Sequence, residues 1–126
     1  MERRIIFVKQ NSRNGVVQRN VGGENMSYFA YKLIPPRPTF PQDMTEAEAN
    51  LMREHVAYWT DLAARKVAVV FGPVSDPHGA WGLAVVQAAG EAEARALGTN
   101  DPTIKAGAGF QFEAYPMPQV ILRERA

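Results

Sequence analysis

The sequence contains no cysteine, has no long apolar run and carries almost no net charge. Without cysteine the chain has no disulfide, no thiolate metal ligand and no cysteine nucleophile, and it suits a reducing compartment, so we expect a cytoplasmic protein. The longest apolar run, VAVVF, has five residues and is far too short to span a membrane. A net charge of +1 indicates neither a nucleic-acid partner nor a membrane partner.

The charge is unevenly distributed along the chain. Residues 1–25 carry five basic and two acidic side chains, whereas residues 26–126 carry nine and eleven. The opening stretch RIIFVKQ is typical of a short strand, but the residues after it are polar and rich in Gly and Asn, as linkers are. We therefore predict a basic N-terminal extension over residues 1–25 and the functional domain over residues 26–126.

The predicted elements of residues 26–126 follow the order β-α-β-β-α-β. The first strand, SYFAYKLI, ends at two prolines, and Thr45 with Glu48 three residues later predicts a capping box that begins a helix ending at Ala63 or Arg65. KVAVVFGP is a second strand stopped by Gly-Pro, GLAVVQA a third, EAEARAL a short helix and GFQFEAYPM a fourth strand. QVILRER either extends the sheet or trails away from it.

This order is that of the α+β ferredoxin-like plan, the split β-α-β-β-α-β sheet. Two helices cover only one face of four strands. The first strand, however, is apolar on both faces, with Tyr28 and Ala30 on one side and Phe29 and Tyr31 on the other. A sheet that is apolar on both sides needs a second cover, and another copy of the same sheet supplies one. We therefore expect a homodimer.

One histidine interrupts an apolar helix face. In LMREHVAYW, His55 lies four residues from both Leu51 and Trp59, with Met52 and Val56 alongside, so the five positions share one stripe. Two interpretations are open: a core histidine satisfied by a backbone carbonyl, or a functional histidine with a carboxylate neighbour.

Asp101 is the candidate for that neighbour. It precedes Pro102 in DPTIKAG, where an aspartate is typical as the N-cap of a helical turn. Asp101 is therefore either a cap alone or a partner of His55. A third alternative combines the two, with one carboxylate oxygen capping the turn and the other orienting the imidazole.

Four segments together resemble the YCII-related (YciI-like) family: YFAYKLIPPRPTF, MTEAEANLMREHVAYW, VFGPVSDPHGAWG and NDPTIKAGAGFQFEAYPM. The resemblance covers residues 26 to about 118. It implies a ferredoxin-like fold of the dimeric α/β-barrel type with a His–Asp pair in a cleft, and the pair falls on His55 and Asp101. One branch of the family is similar to enzymes that eliminate chloride from chlorinated hydroxyquinols.

Four further residues are candidates for ligand binding. Arg37, in a loop near the expected cleft mouth, is either a solvated arginine or a site for an anionic ligand. Asp76, in SDPHG, is either a turn residue or a ligand contact, and Tyr31 and Trp59 are either core or an aromatic wall. Two histidines on different elements offer no recognised metal spacing, and no organic cofactor is implied.

Two classes of function follow. In the first, His55 and Asp101 perform acid–base chemistry of a lyase, dehydrohalogenase or isomerase on a small ligand, an aromatic ring being one option. In the second, the domain is a small-molecule-binding or interaction dimer without catalysis, and His55 serves as a hydrogen-bonding group.

Overall fold

The computed structural model describes residues 26–124 and the backbone of Ile6–Lys9. The elements alternate as expected for an α+β domain. They are β1 (Ile6–Lys9), β2 (Ser27–Ile34), α1 (Glu46–Ala64), β3 (Ala68–Val74), β4 (Trp81–Ala88), α2 (Glu91–Thr99), α3 (Pro102–Lys105), β5 (Gln111–Met117) and β6 (Gln119–Leu122). None of the helices within residues 26–124 is long and apolar enough to cross a membrane.

Four strands form an open antiparallel sheet in the order β3-β4-β2-β5. The first strand of the domain, β2, thus lies between β4 and β5, with Tyr31 opposite both Ala84 and Ala114. Helix α1 connects β2 to β3, and α2 and α3 connect β4 to β5. This arrangement confirms the α+β class and is compatible with the ferredoxin-like plan.

The N-terminal and C-terminal strands form a separate pair. β1 and β6 are antiparallel, with Ile6 opposite Leu122 and Lys9 opposite Gln119. QVILRER therefore neither extends the main sheet nor trails away, because its first four residues pair with the strand predicted within RIIFVKQ. The rest of the predicted extension over residues 1–25 lies outside the described residues.

The sequence predicted that Gly72-Pro73 stops the second strand of the domain, and this prediction is wrong. β3 continues to Val74, and Pro73 lies opposite Gly82. The physical reason is the position of β3 at the edge of the sheet, where the missing N–H of a proline interrupts no ladder on the outer side. The other edge strand, β5, likewise contains Pro116.

The core lies between α1, α2 and one face of the sheet. Trp59 and Leu62 of α1 are buried against a cluster that includes Phe29, Tyr31 and Val86. Helix α1 begins at the predicted capping box: the Glu48 amide donates to Thr45 Oγ1 and the Thr45 amide donates to Glu48 Oε1.

The opposite face of the sheet has an apolar row that is only partly covered by the described residues. One row across the four strands consists of Val70, Val85, Ala30 and Tyr115, which face one another in register. Val70 and Tyr115 are 49% and 55% exposed. The apolar character that the sequence predicted for both faces is therefore present in this row, whereas the next row contains Lys32 opposite Glu113.

Candidate functional site

A cavity of about 210 Å³ lies between α1 and the core face of the sheet. Residues of β2, α1, β3, β4 and α3, together with the loop after β2 and the turn before β5, line it. Seven of its lining residues are aromatic: Tyr31, Phe40, Trp59, Phe71, Trp81, Phe110 and Phe112. Besides the Tyr31 phenol, the only titratable side chains that residues 26–124 contribute to the lining are His55 and Asp101.

His55 reaches Asp101 from the middle of α1. Its Nδ1 lies 2.9 Å from Asp101 Oδ2 and 3.1 Å from Oδ1. The two residues are 46 positions apart in sequence, and α1 packs directly on α3, which Asp101 begins. The His55 side chain is 14% exposed and the Asp101 side chain 3%. His55 is therefore not a core histidine held by a backbone carbonyl.

Asp101 both caps α3 and contacts His55. Its Oδ1 accepts from the Thr103 amide at 2.9 Å and from the Thr103 hydroxyl at 2.8 Å. Its Oδ2 accepts from the indole Nε1 of Trp59 at 2.7 Å and faces His55 Nδ1. One oxygen therefore caps α3 and the other contacts the imidazole, which is the third alternative that the sequence left open.

These contacts keep the Asp101 carboxyl ionised although it is buried. Burial by itself would raise its pKa, but hydrogen bonds from His55, Trp59 and Thr103 favour the charged form, and the net effect is a lowered pKa. An ionised carboxylate only accepts hydrogen bonds, so the imidazole proton lies on Nδ1. Within residues 26–124, no group is hydrogen-bonded to His55 Nε2.

Tyr31 and Trp59 belong both to the core and to the cavity wall. Their rings meet edge to face with centroids 5.6 Å apart. The Tyr31 hydroxyl accepts from the Gly98 amide at 3.0 Å, and burial raises the pKa of this phenol to about 12. Tyr31 is therefore a neutral wall residue, whereas Trp59 contributes both its ring and its N–H to the site.

Arg37 is not among the residues that line the cavity. Its guanidinium donates to both oxygens of Glu48 at 2.7 and 2.8 Å, and to Asp43 at 2.9 Å. Hydrogen bonds from Arg37 hold the pKa of Glu48 at about 2, so the pair is ionised on both sides. Arg37 thereby fastens the loop after β2, which supplies Phe40 to the cavity, to the first turn of α1.

Asp76 also lies outside the cavity lining. Its carboxylate accepts from the His78 amide at 2.8 Å and from the Trp81 indole at 3.1 Å. These hydrogen bonds lower the pKa of Asp76 and are those of an organised turn. The structure therefore brings together four of the six predicted site residues, and Arg37 and Asp76 stand apart.

Two features of the site were absent from the sequence analysis. Thr103 is fully buried and gives Asp101 two of its four donors; the signal was the threonine two positions after a capping aspartate. Phe40 and Phe110 close one side of the cavity through an edge-to-face contact at 5.5 Å. No local pattern pairs these two rings, since they lie on separate loops.

The part of the chain from Met26 to Glu124 contains no group of three or more His, Cys, Asp or Glu side chains that could hold a metal ion. The described part of the cavity offers one imidazole and one carboxylate as possible metal ligands, and both oxygens of the carboxylate already accept hydrogen bonds.

The fold and the site define a class of protein: an α+β domain with an apolar, ring-sized cavity and a single His–Asp contact on its wall. A family model for the YCII-related domain matches residues 29–118, a range that includes both His55 and Asp101. The chain belongs to the YCII-related family, which confirms the resemblance noted in the sequence. No curated protein and no solved structure matches it.

Proposed function

We propose that this protein is a small-molecule enzyme in which His55 performs acid–base chemistry under the control of Asp101. The observation that carries the proposal is the hydrogen bond between His55 Nδ1 and Asp101 Oδ2, at 2.9 Å, on the wall of an apolar cavity. It leaves Nε2 as the nitrogen with a free lone pair, in a residue that lines the cavity. A positioned histidine of this kind contributes roughly 10²- to 10⁴-fold to a rate.

The chemistry proceeds by proton transfer. His55 Nε2 removes a proton from a weakly acidic C–H or O–H of the ligand, and the carboxylate of Asp101 stabilises the imidazolium that forms. The electron pair left on the ligand then either expels a leaving group from the adjacent atom or is reprotonated at another atom. The first outcome is an elimination, as in a lyase or dehydrohalogenase, and the second an isomerisation.

Deuterium exchange tests this proposal without knowledge of the natural substrate. Small cyclic ketones such as cyclohexanone and cyclopent-2-enone are incubated with the protein in D₂O, and loss of the signals of the protons next to the carbonyl is followed by proton NMR. We expect exchange above the buffer rate, reduced by about 100-fold or more in His55→Gln. His78→Gln is the matched control, because the His78 side chain is 94% exposed and outside the cavity.

Equal exchange by the wild-type protein and His55→Gln would refute the catalytic role. Binding of the ketones without any exchange would instead support the second candidate, a non-catalytic binding domain. The apolar wall is the observation that favours that candidate, because His55, Asp101 and the Tyr31 hydroxyl are the only titratable groups among the described lining residues. In that case Nε2 serves only to orient the ligand.

We also propose that two copies of the chain associate through the uncovered face of the sheet, as a cytoplasmic homodimer. The support is the apolar row formed by Val70, Val85, Ala30 and Tyr115, of which Val70 and Tyr115 are exposed, because monomers rarely leave a large apolar patch open to solvent.

Light scattering coupled to gel filtration tests the dimer. The wild-type protein should elute at twice the mass of one chain at micromolar concentration, and Val70→Glu should elute at the mass of one chain. Ala57→Glu, on the exposed side of α1, should leave the mass of the dimer unchanged. A monomeric wild-type protein would refute the proposal.

A further inference from the structure

We infer that the ligand of the cavity is an uncharged molecule about the size of one substituted ring. This inference rests on the proposed function only in taking the cavity as the ligand site, and it narrows the substrate class to neutral compounds. It excludes the carboxylate and phosphate ligands that an arginine near the cleft mouth suggested.

The described residues provide no countercharge for an anion in the cavity. None of its lining residues within the described part of the chain is a lysine or an arginine. Arg37, which the sequence suggested as a site for an anionic ligand, is held by two carboxylates, Glu48 and Asp43, at 2.7–2.9 Å. Withdrawing Arg37 from this ion pair would leave two carboxylates without their partner, so it is a poor anion receptor.

The His–Asp pair does not supply the missing positive charge. When His55 is protonated, its charge is balanced by Asp101 at 2.9 Å, and when it is neutral the pair carries the negative charge of Asp101. An anion placed against His55 Nε2 would meet this carboxylate across one imidazole ring, with aromatic walls that screen little. The pair therefore accepts a neutral hydrogen-bonding group best.

A cationic ligand finds no free carboxylate either. Asp101 is the only acidic residue of the lining in the described part of the chain, and all four of its donors come from the protein. Its side chain is 3% exposed, so a ligand cation would meet it only across the imidazole of His55, and the cation would lose its hydration in an apolar cavity.

The volume and the wall set the size and the polarity of the ligand. A dry cavity of about 150 Å³ accommodates benzene, so the 210 Å³ of this cavity suit one ring with one or two small substituents. Aromatic side chains such as Phe71 and Phe112 face that space, and a ring in van der Waals contact with them would replace poorly hydrogen-bonded water.

Three probes of similar size separate the charge states: benzyl alcohol, benzoate and benzylammonium. Each is titrated at neutral pH into the full chain labelled with ¹⁵N, and binding is followed by the shift of the Trp59 indole N–H, which lies at the cavity wall. We expect benzyl alcohol to bind at least about tenfold more tightly than either charged probe. Equal or tighter binding of benzoate or benzylammonium would overturn the inference, and so would the failure of all three to shift the indole signal.

A pair of lysine substitutions tests the reason for the preference. Val56 lines the cavity and is 48% exposed, so Val56→Lys places a cation at the rim without burying it. We expect benzoate to bind at least about tenfold more tightly to this variant than to the wild type. Ala57→Lys, the next residue of α1 and exposed outside the lining, should leave benzoate binding unchanged.

An equal gain in benzoate binding from both lysines would show a general charge effect and overturn the argument. The binding experiments stand apart from the exchange assay. A preference for benzyl alcohol without deuterium exchange would refute catalysis and leave the inferred ligand class intact. Deuterium exchange together with a preference for benzoate would support catalysis and refute the inferred ligand class.

Discussion

Replacing Asp101 with asparagine removes one charge and one acceptor from the centre of the site while nearly preserving its shape. The asparagine oxygen can still accept from the Thr103 amide and hydroxyl, so the cap of α3 is retained. Its NH₂ group then faces His55 Nδ1 and the Trp59 indole, which both donate to the carboxylate of the wild-type protein.

The structure sets the size of the effect. His55 can adapt by moving its proton from Nδ1 to Nε2 and accepting from the new amide. Trp59 cannot adapt, because its indole is a donor only and the residue is 3% exposed. One buried donor without a partner and the loss of hydrogen bonds to a charged group should together lower the free energy of unfolding by about 2–4 kcal/mol. For a chain of this length, this corresponds to a fall in Tm of roughly 8–15 °C.

Two measurements check this prediction. Thermal unfolding followed by circular dichroism gives the loss of stability, and the ¹⁵N chemical shifts of His55 give its tautomer, which should change from Nδ1–H to Nε2–H. Thr103→Val is the control, since it removes one donor at Oδ1 and should cost about 1 kcal/mol without a change of tautomer. A variant Asp101→Asn that is as stable as the wild type and keeps the Nδ1–H tautomer would refute the assigned network.

Two further predictions concern pH and packing. Because the pKa of Asp101 is lowered in the folded protein, its charge stabilises the fold above its unfolded pKa of about 3.9, and this contribution is lost as the pH falls through the lower folded value. Urea unfolding should therefore show the difference in stability between the wild-type protein and Asp101→Asn beginning to narrow below about pH 4. A difference that stays the same from pH 6 down to the lowest pH at which both proteins are folded would contradict this. Gly98→Ala places a methyl group 2.5 Å from the Phe112 ring, which also stacks on Tyr31, and should destabilise the fold by about 1–3 kcal/mol. Gly72→Ala, in the edge strand β3, is the control because its methyl meets nothing within 4 Å, and equal stability of the two variants would show that the Phe112 ring moves freely.

The elements with local signals were predictable from the sequence. The capping box of Thr45 and Glu48 determined where α1 begins, and the two prolines after Ile34 determined where β2 ends. The order of these elements was sufficient to predict the α+β class, since β-α-β-β-α-β chains favour one sheet topology. Asp101 was predictable as a cap for the same local reason.

Contacts that depend on tertiary structure were beyond the sequence. Nothing local indicates that Glu48 holds Arg37, eleven residues away, and so removes the cation from the expected anion site. The donation from Trp59 to Asp101 joins residues 42 positions apart and gives an apolar wall residue a polar role. Gly72-Pro73 was predicted to stop its strand because the sequence does not reveal which strand is at the edge of the sheet.

Because α3 is so short, hydrogen exchange at one of its amides can measure how often the site opens. Four residues do not form a stable helix by themselves, since nucleation costs more than one turn returns. The helix persists because Asp101 caps it, and the same carboxylate is held from the other side by α1. The backbone N–H of Thr103 is thus protected from hydrogen exchange with solvent only while α1 and α3 are packed together at the cavity. The exchange rate of this single amide reports how often the site comes apart, and a ligand that bridges His55 should slow that rate before any effect on global unfolding is seen.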